Sequence, residues 1–202
     1  YPDLKLYLRE EQTARLLELL TRGRLDGAVI ALPYDTTGLH TMPLGDDGLV
    51  IACPPGHRLA RAAEVRTEDL RGEPLLLLED GHCLRDHALT ACRLLPGQAN
   101  EDFQATSLGT LVQMVASGLG ATLLPEMAVP VETRREPNIV VRPLADPGPT
   151  RRIALAWRAG SPRAADLTPV QWAEEPTLER CPPGHGDLYP ALEGSGVLDQ
   201  LI

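Results

Sequence analysis

The chain has 202 residues, 43% of them hydrophobic, enough for one domain of ordinary size or two small lobes with a real core. Asp and Glu number 28 against 19 Lys and Arg, giving a net charge of −9 and an isoelectric point near 5.0, a balance that opposes binding to a phosphate backbone. Aromatic residues make up 3%, too few for the stacking platforms that hold single-stranded nucleic acid, and no apolar run approaches the ~20 residues of a membrane span.

In chain order, alternating apolar residues predict a strand at Leu4 to Leu8. A helix follows over Gln12 to Arg22, carrying Leu16, Leu19 and Leu20 and ended by Gly23. Gly27 to Leu32 and Gly48 to Cys53 are continuous apolar runs of strand length. A helical stretch around Arg66 to Arg71 leads to a strand at Leu75 to Leu78. Leu84, Ala88, Ala91 and Leu95 then share one face of a helix. After a short strand at Phe103 to Ala105, Ser107 is placed to cap a helix bearing Leu108, Leu111, Val112 and Val115, with Gly118 or Gly120 past its end. ATLLP, NIVVRPL and RRIALAW supply three more strands. Strands and helices alternating at this pitch predict an α/β fold with mostly parallel sheets. Beyond Gly160 the texture turns rich in proline and glycine, and a boundary is expected between Ser161 and Thr168.

The sequence CPPGH occurs twice, at Cys53 to His57 and at Cys181 to His185. Two such pairs could make a Cys₂His₂ metal site, but their spacing matches no usual zinc finger and Pro-Pro restrains the backbone. They are read as two proline-rich turns, and no metal or other cofactor is expected.

The stretch GHCLRDHALTAC holds two of the four cysteines, Cys83 and Cys92, nine residues apart. Without an apolar signal stretch at the start of the sequence, cysteines point to a reducing compartment, the cytoplasm by default, where a pair is more often redox-active, catalytic or metal-binding than a structural staple. On a regular helix nine residues rise about 13.5 Å, whereas a disulfide needs Cα atoms within roughly 7 Å. A helix beginning just after Gly81 would put Cys83 in its first turn, where free N–H groups, with His82 and Arg85 nearby, favour a thiolate that attacks peroxide. The resulting sulfenic acid would condense with Cys92, and only if the helix unwinds. The same two cysteines also fit as small buried apolar residues, the usual state of free cysteine.

From YPDLKLYL through RIALAWRAGSP, about residues 1–163, the chain resembles the effector-binding part of LysR-type transcriptional regulators. LLLLEDGHCLRDHALTAC and FQATSLGTLVQMVASGLGATLLPEMAVP resemble the peroxide-sensing, OxyR-type branch of that family. The resemblance implies two periplasmic-binding-protein-like lobes, the first from residues 1–46 and 151–163 and the second from 47–150. It implies hydrogen peroxide as the signal, Cys83 as the attacking thiol, Cys92 as the resolving thiol, and a peroxide pocket containing His82, Thr13 and Arg151. Thr106 and Ser107 match the helix start that binds effectors in other LysR-type proteins, although capping is their simpler role. A thiol reductant of glutaredoxin or thioredoxin type would reset the switch, and intact relatives would be homo-oligomers.

The family's N-terminal helix-turn-helix, and the first strand and helix of its regulatory domain, have no counterpart here. The expectation is a fragment with a weakly stable first lobe that does not bind DNA by itself. Residues 164–202 resemble an internal piece of UDP-glucose pyrophosphorylase through PPGHGD and GSGVLD, with Gly184, His185 and Gly186 in its sugar-nucleotide loop. That family's Gly-rich nucleotide loop and activating lysine have no match, so this segment is expected to be a loosely ordered graft without transferase activity. Two alternatives remain beside the redox sensor: a LysR-type domain that binds an organic anion at helix N-termini, with passive cysteines, and a thiol peroxidase or nucleotidyltransferase fragment.

Overall fold

The computed structural model describes residues 5–91, 99–134, 136–145 and 147–167. In chain order the elements are α1 (Thr13–Thr21), β1 (Ala28–Leu32), β2 (Leu39–Cys53), β3 (Leu75–Leu78), α2 (Cys83–Ala91), β4 (Ala99–Ala105), α3 (Leu108–Ala116), β5 (Thr122–Pro125), α4 (Val129–Glu132), β6 (Val140–Pro143), β7 (Thr150–Arg158) and α5 (Ala164–Leu167). Short 3-10 turns lie at Arg58–Arg61, Thr67–Leu70 and Glu126–Ala128.

Two apolar cores result. In the small lobe the leucine stripe of α1 lays Leu20 against Ala28, Ile30 and Ala156, with Leu16, Leu17, Leu25, Leu32 and Leu39 partly buried around them. The larger core joins the inner faces of β2, β3 and β5 to Leu84 and Ala88 of α2 and to Leu108, Leu111, Val112 and Val115 of α3. All four leucines of β3 are buried, as a strand covered on both faces requires.

β2 connects the lobes. Its first part pairs antiparallel with β7 from Leu39↔Arg158 to Gly48↔Thr150. Its end pairs antiparallel with β5 on one side and β6 on the other. β1 lies on the far edge of β7, also antiparallel. Among the described residues β3 and β4 alone pair as parallel strands, with single parallel bridges at Val65↔Leu144 and Leu75↔Ala121. The expected mostly parallel sheets are therefore corrected. Alternation of strand and helix implies parallel neighbours only when each crossover returns to the same end of the sheet. Here one long strand passes through both lobes and β7 runs back along it.

Other boundaries moved for local reasons. The sequence places a strand only from Gly48, whereas the structure starts β2 at Leu39 and carries it past Pro43 and Gly45 through a register shift between them. The strand expected at Leu4 to Leu8 does not form over its described part. Residues 5–11 have no regular structure and Leu6, Tyr7 and Leu8 are exposed, because an alternating segment becomes a strand only beside a partner ladder. Arg66 to Arg71 shortens to the 3-10 turn Thr67–Leu70. The helix expected to reach Leu95 starts one residue early, at Cys83, and its predicted end lies outside the described residues, as do Cys92 and residues 168–202.

Helix ends obey the chemistry read from the sequence. Ser107 caps α3, its hydroxyl accepting the Thr110 N–H at 3.2 Å. Gly118, at φ +84, ends it. Its N–H bonds to Val115 O at 2.9 Å and that of Leu119 to Met114 O at 3.2 Å, satisfying the last orphan carbonyls in a conformation other residues avoid. Gly23 ends α1 in the same way.

Because the small core rests on so few fully buried side chains, Leu20→Ala should destabilise it by about 2–5 kcal/mol. Urea unfolding followed by the fluorescence of the buried Trp157, which sits on β7, is the measurement. Loss of that signal at lower urea than in the unsubstituted chain is the expected result.

Candidate functional site

The site grows from the turn that carries the chain from β3 to α2. The strand is released at Glu79, whose N–H still bonds to Ala105 O at 3.0 Å, and the chain reverses through Asp80 and Gly81. Gly81 has φ +93, and a Cβ placed there would stand 3.0 Å from the Gln12 carboxamide. The conformation demands glycine, while the space would need only a small shift of the flexible Gln12 side chain. The turn closes as Arg85 N–H bonds to His82 O at 3.0 Å, and α2 begins at Cys83. Cys83 thus stands among the unpaired N–H groups of a helix start. The helix is seated by Leu84 and Ala88, both buried in the larger core.

The N-terminus of α1 meets this turn from the small lobe. Gln12 packs on Gly81, and the buried Thr13 lies near the side chain of Tyr34. Tyr34 lies close enough to feel both Cys83 and Asp86. Burial chiefly, and then the Cys83 and Asp86 side chains, push its phenol above the ordinary 10.0, with the Thr13 hydroxyl opposing them. Tyr34 therefore keeps its proton throughout the neutral range, and the surroundings of the sulfur hold two neutral hydroxyls.

Of the sequence-predicted residues, Thr13 and Cys83 thus both lie near enough to Tyr34 to act on its phenol. His82 is half-buried in the turn itself. Arg151 is 5% exposed and lies one helical turn further along α2, where its charge acts on His87. The alternation of β7 turns Arg151 inward and Arg152 outward. Arg151 Nε donates to Asp47 Oδ2 at 2.8 Å and Nη2 lies 2.7 Å from the same oxygen without an aligned N–H, while Asp47 Oδ1 accepts the Met127 N–H at 3.1 Å. Thr106 and Ser107 stand at the exposed start of α3, with Ser107 committed to Thr110. Cys92 lies outside the described residues.

One electrostatic expectation is corrected. Arg85 was expected to lend its charge to Cys83, but residues two apart on a helix do not face each other. Its guanidinium pairs with Asp80 at 2.8 Å and donates to Leu78 O at 3.1 Å, stitching α2 back to β3. In the first CPPGH sequence, Cys53 is buried at the end of β2 and burial raises its thiol. His57 caps the next turn by accepting the Leu59 N–H, while its Nε2 meets Glu73 at 2.8 Å. The second CPPGH lies outside the described residues.

Gln12, Tyr34, Asp47, Asp86 and His87 were missed from the sequence. His87 had a signal, since it follows Cys83 by four residues and shares its helix face. Asp46-Asp47 facing Arg151-Arg152 is visible only once the pairing of two distant strands is known.

A family model described as the LysR substrate binding domain matches residues 1–173, and one described as UTP--glucose-1-phosphate uridylyltransferase matches residues 161–202. The chain is 48% identical over 168 residues to a probable hydrogen peroxide-inducible genes activator of Streptomyces viridosporus, covering 82% of this chain and 54% of that protein. It is 44% identical over 162 residues to the DNA-binding transcriptional dual regulator OxyR of Escherichia coli strain K12, covering 80% and 53%. The chain thus spans about half the length of the curated relatives it matches. Among solved structures, a hydrogen-peroxide-bound cysteine-to-serine mutant of Corynebacterium glutamicum OxyR superposes with a TM-score of 0.77 at 36% identity, over 83% of this chain and 53% of that one. Among the described residues no group of three or more His, Cys, Asp or Glu is arranged to hold a metal ion, and no helix is long and apolar enough to cross a membrane.

Asp47→Asn should cost about 3–5 kcal/mol, because it strands the Arg151 charge in the interior. The double variant Asp47→Leu with Arg151→Met should lose much less, since neither charge remains. Urea denaturation of the three reduced proteins tests this; equal losses in the single and double variants would show that the pair's charge is not the issue.

Proposed function

The chain belongs to the LysR family of transcriptional regulators through its substrate-binding domain, and on that premise we propose that it is the hydrogen-peroxide-sensing module of an OxyR-type regulator. The observation that carries the reading is the position of Cys83, in the first turn of α2, beside the Thr13–Tyr34 pair at the border of the two lobes. The names of its relatives, and the peroxide bound to the Corynebacterium OxyR mutant, support the same reading. We assign the small lobe to residues 1–46 and 151–163 and the large lobe to 47–150, in keeping with the two cores.

In this reading peroxide enters between Cys83 and the hydroxyls of Thr13 and Tyr34, with His82 and Arg151 as the other polar members of the pocket. The Cys83 thiolate attacks one peroxide oxygen, the O–O bond breaks, and the departing hydroxide takes a proton and leaves as water. Neutral hydroxyls suit that task, since they orient peroxide and donate to the departing oxygen without adding charge. Cys83 is left as a sulfenic acid. The Cys92 thiolate attacks its sulfur, the S–S bond forms and hydroxide departs. An external dithiol of glutaredoxin or thioredoxin type resets the pair by exchange. The module turns over once per reduction and is a switch rather than a metabolic enzyme, working in the reducing cytoplasm. DNA contact is assigned to a separate domain, in keeping with the acidic charge of this one. Residues 161–202 match a piece of the uridylyltransferase model, for which we propose no transferase role.

Substoichiometric peroxide should consume two thiols per peroxide, and peptide mass spectrometry should find Cys83 linked to Cys92. Cys92→Ser should leave a sulfenic acid on Cys83 that a dimedone-type probe traps, and Cys83→Ser should abolish peroxide consumption. Folded protein whose two thiols stay free after peroxide treatment would overturn the proposal in favour of passive cysteines.

A further inference from the structure

The turn that delivers Cys83 is built by the large lobe and touched from the small one. On the large-lobe side Glu79 N–H bonds to Ala105 O at 3.0 Å, while Arg85 reaches back to Asp80 at 2.8 Å and to Leu78 O at 3.1 Å. The contact from the small lobe is Gln12. It occupies the N-cap position of α1, yet its side chain makes no capping hydrogen bond. Its backbone carbonyl joins the helix instead, accepting the N–H groups of Arg15 at 2.9 Å and Leu16 at 3.0 Å. The carboxamide is left for another use, and it lies over Gly81. A Cβ built on that glycine would meet Gln12 Nε2 and Oε1 at 3.0 Å and Cδ at 3.1 Å, so the end of one side chain fills the notch where position 81 lacks one. We infer that Gln12 is a positioning residue for the peroxide reaction: its carboxamide, seated in the notch of Gly81, sets the spacing between the buried Thr13 and the Cys83 turn, and with it the alignment of peroxide on the sulfur. This assignment rests on the peroxide-sensing reading above.

The contact is close to the chemistry on both sides. Thr13 follows Gln12 directly, and Cys83 follows Gly81 by two residues, so little chain lies between the contact and the groups it would align. Thr13 is buried and Cys83 half-buried, whereas Gln12 and Gly81 are exposed, which makes their contact the outer member of the group. Displacement at an O–O bond needs the sulfur and both oxygens in line, and an error of about 1 Å in such an arrangement can cost up to ~100-fold in rate. Alkylation of the same thiolate by a small reagent has no use for the Thr13 and Tyr34 hydroxyls. Gln12 therefore matters to peroxide and not to alkylation. Its replacement also leaves the fold its supports, because α1 begins on the Gln12 backbone carbonyl and the turn is held by Glu79 and Arg85.

The experiment compares two reactions of Cys83 in the reduced full chain, oxidation by hydrogen peroxide and alkylation by iodoacetamide, each followed on the Cys83 peptide by mass spectrometry. In Gln12→Ala the second-order constant for peroxide should fall about tenfold, while the alkylation rate and its pH profile stay within about twofold. Gln12→Met, which keeps the length and bulk of the side chain, should recover most of the peroxide rate. Gly81→Ala should slow peroxide by displacing the carboxamide, and it should do so less when added to Gln12→Ala, where no carboxamide remains to displace. That second comparison cancels the backbone strain of an alanine in this turn, since both backgrounds carry it. Peroxide rates in Gln12→Ala equal to those of the unsubstituted chain would overturn the assignment. So would a parallel fall in alkylation, which would mean that the sulfur itself had changed, or losses that simply multiply in the double variant. If peroxide leaves Cys83 untouched in the unsubstituted chain, the sensing reading fails and this assignment with it; a reactive chain indifferent to Gln12→Ala sinks the assignment alone.

Discussion

The ion pair between Asp47 and Arg151 sits where both connecting strands cross from one lobe to the other. The two residues are partners in the β2–β7 register, and both are buried. Asp47 also accepts the Met127 N–H of the 3-10 turn after β5, and the Arg151 charge is felt at His87 on the cysteine helix. Three parts of the molecule thus converge on one pair of charges. A buried pair of this kind adds little net stability, because desolvation offsets most of the attraction. What it specifies is register. The preceding bulge between Pro43 and Gly45 makes a one-residue slip the obvious competing arrangement, and such a slip would turn Arg151 to solvent and bury Arg152 in its place. The outward pair, Asp46 with Arg152 at 3.0 Å, repeats the pattern in solvent, where it adds less than about 1 kcal/mol.

With that register set, the border between the lobes acquires its chemistry from unequal sources. The large lobe has the apolar mass, and it contributes the helix start that presents Cys83. The small lobe, whose core is slight, contributes polar groups at its rim: Gln12 against Gly81, and Thr13 near Tyr34. A site assembled in this way feels any change in how α2 is seated. None of its small-lobe members belongs to the element that carries the sulfur.

Local signals in the sequence were enough for most of the elements. Leucine spacing marked α1, Ser107 and Gly118 marked the ends of α3, and the run Leu75 to Leu78 marked a strand buried on both faces. What was not legible depended on pairing between distant segments. β2 was half missed because Pro43 and Gly45 carry turn chemistry that only a partner strand overrides, and the antiparallel return of β7 leaves no trace in local periodicity. The same divide runs through the site. Cys83, His82 and Thr13 were visible because a motif and a resemblance name them. Tyr34 follows a proline in a segment with no periodic pattern, and Asp47 looks like one acidic residue among many until Arg151 is seen opposite it. Arg85 misled for a third reason: proximity in sequence suggested a partner for the thiol, while helical geometry sent the side chain the other way.

The seating of α2 also bears on how easily the proposed disulfide would be reset. Unwinding the helix withdraws Leu84 from the core and releases Arg85 from Leu78 O and Asp80. On ordinary magnitudes for one buried leucine and two partly exposed polar contacts, that amounts to roughly 3–5 kcal/mol. Packing lost in the oxidised form and regained on reduction favours the dithiol, and for a two-electron couple every 1.4 kcal/mol raises the reduction potential by about 30 mV. A disulfide formed against that load would stand about 60–110 mV toward the oxidising side, away from the range of inert structural disulfides. Peroxide is a strong enough oxidant to close such a bond against that load, whereas a cellular dithiol gains from the same load when it opens it. The packing that seats α2 on the large core is also what would make the proposed signal reversible.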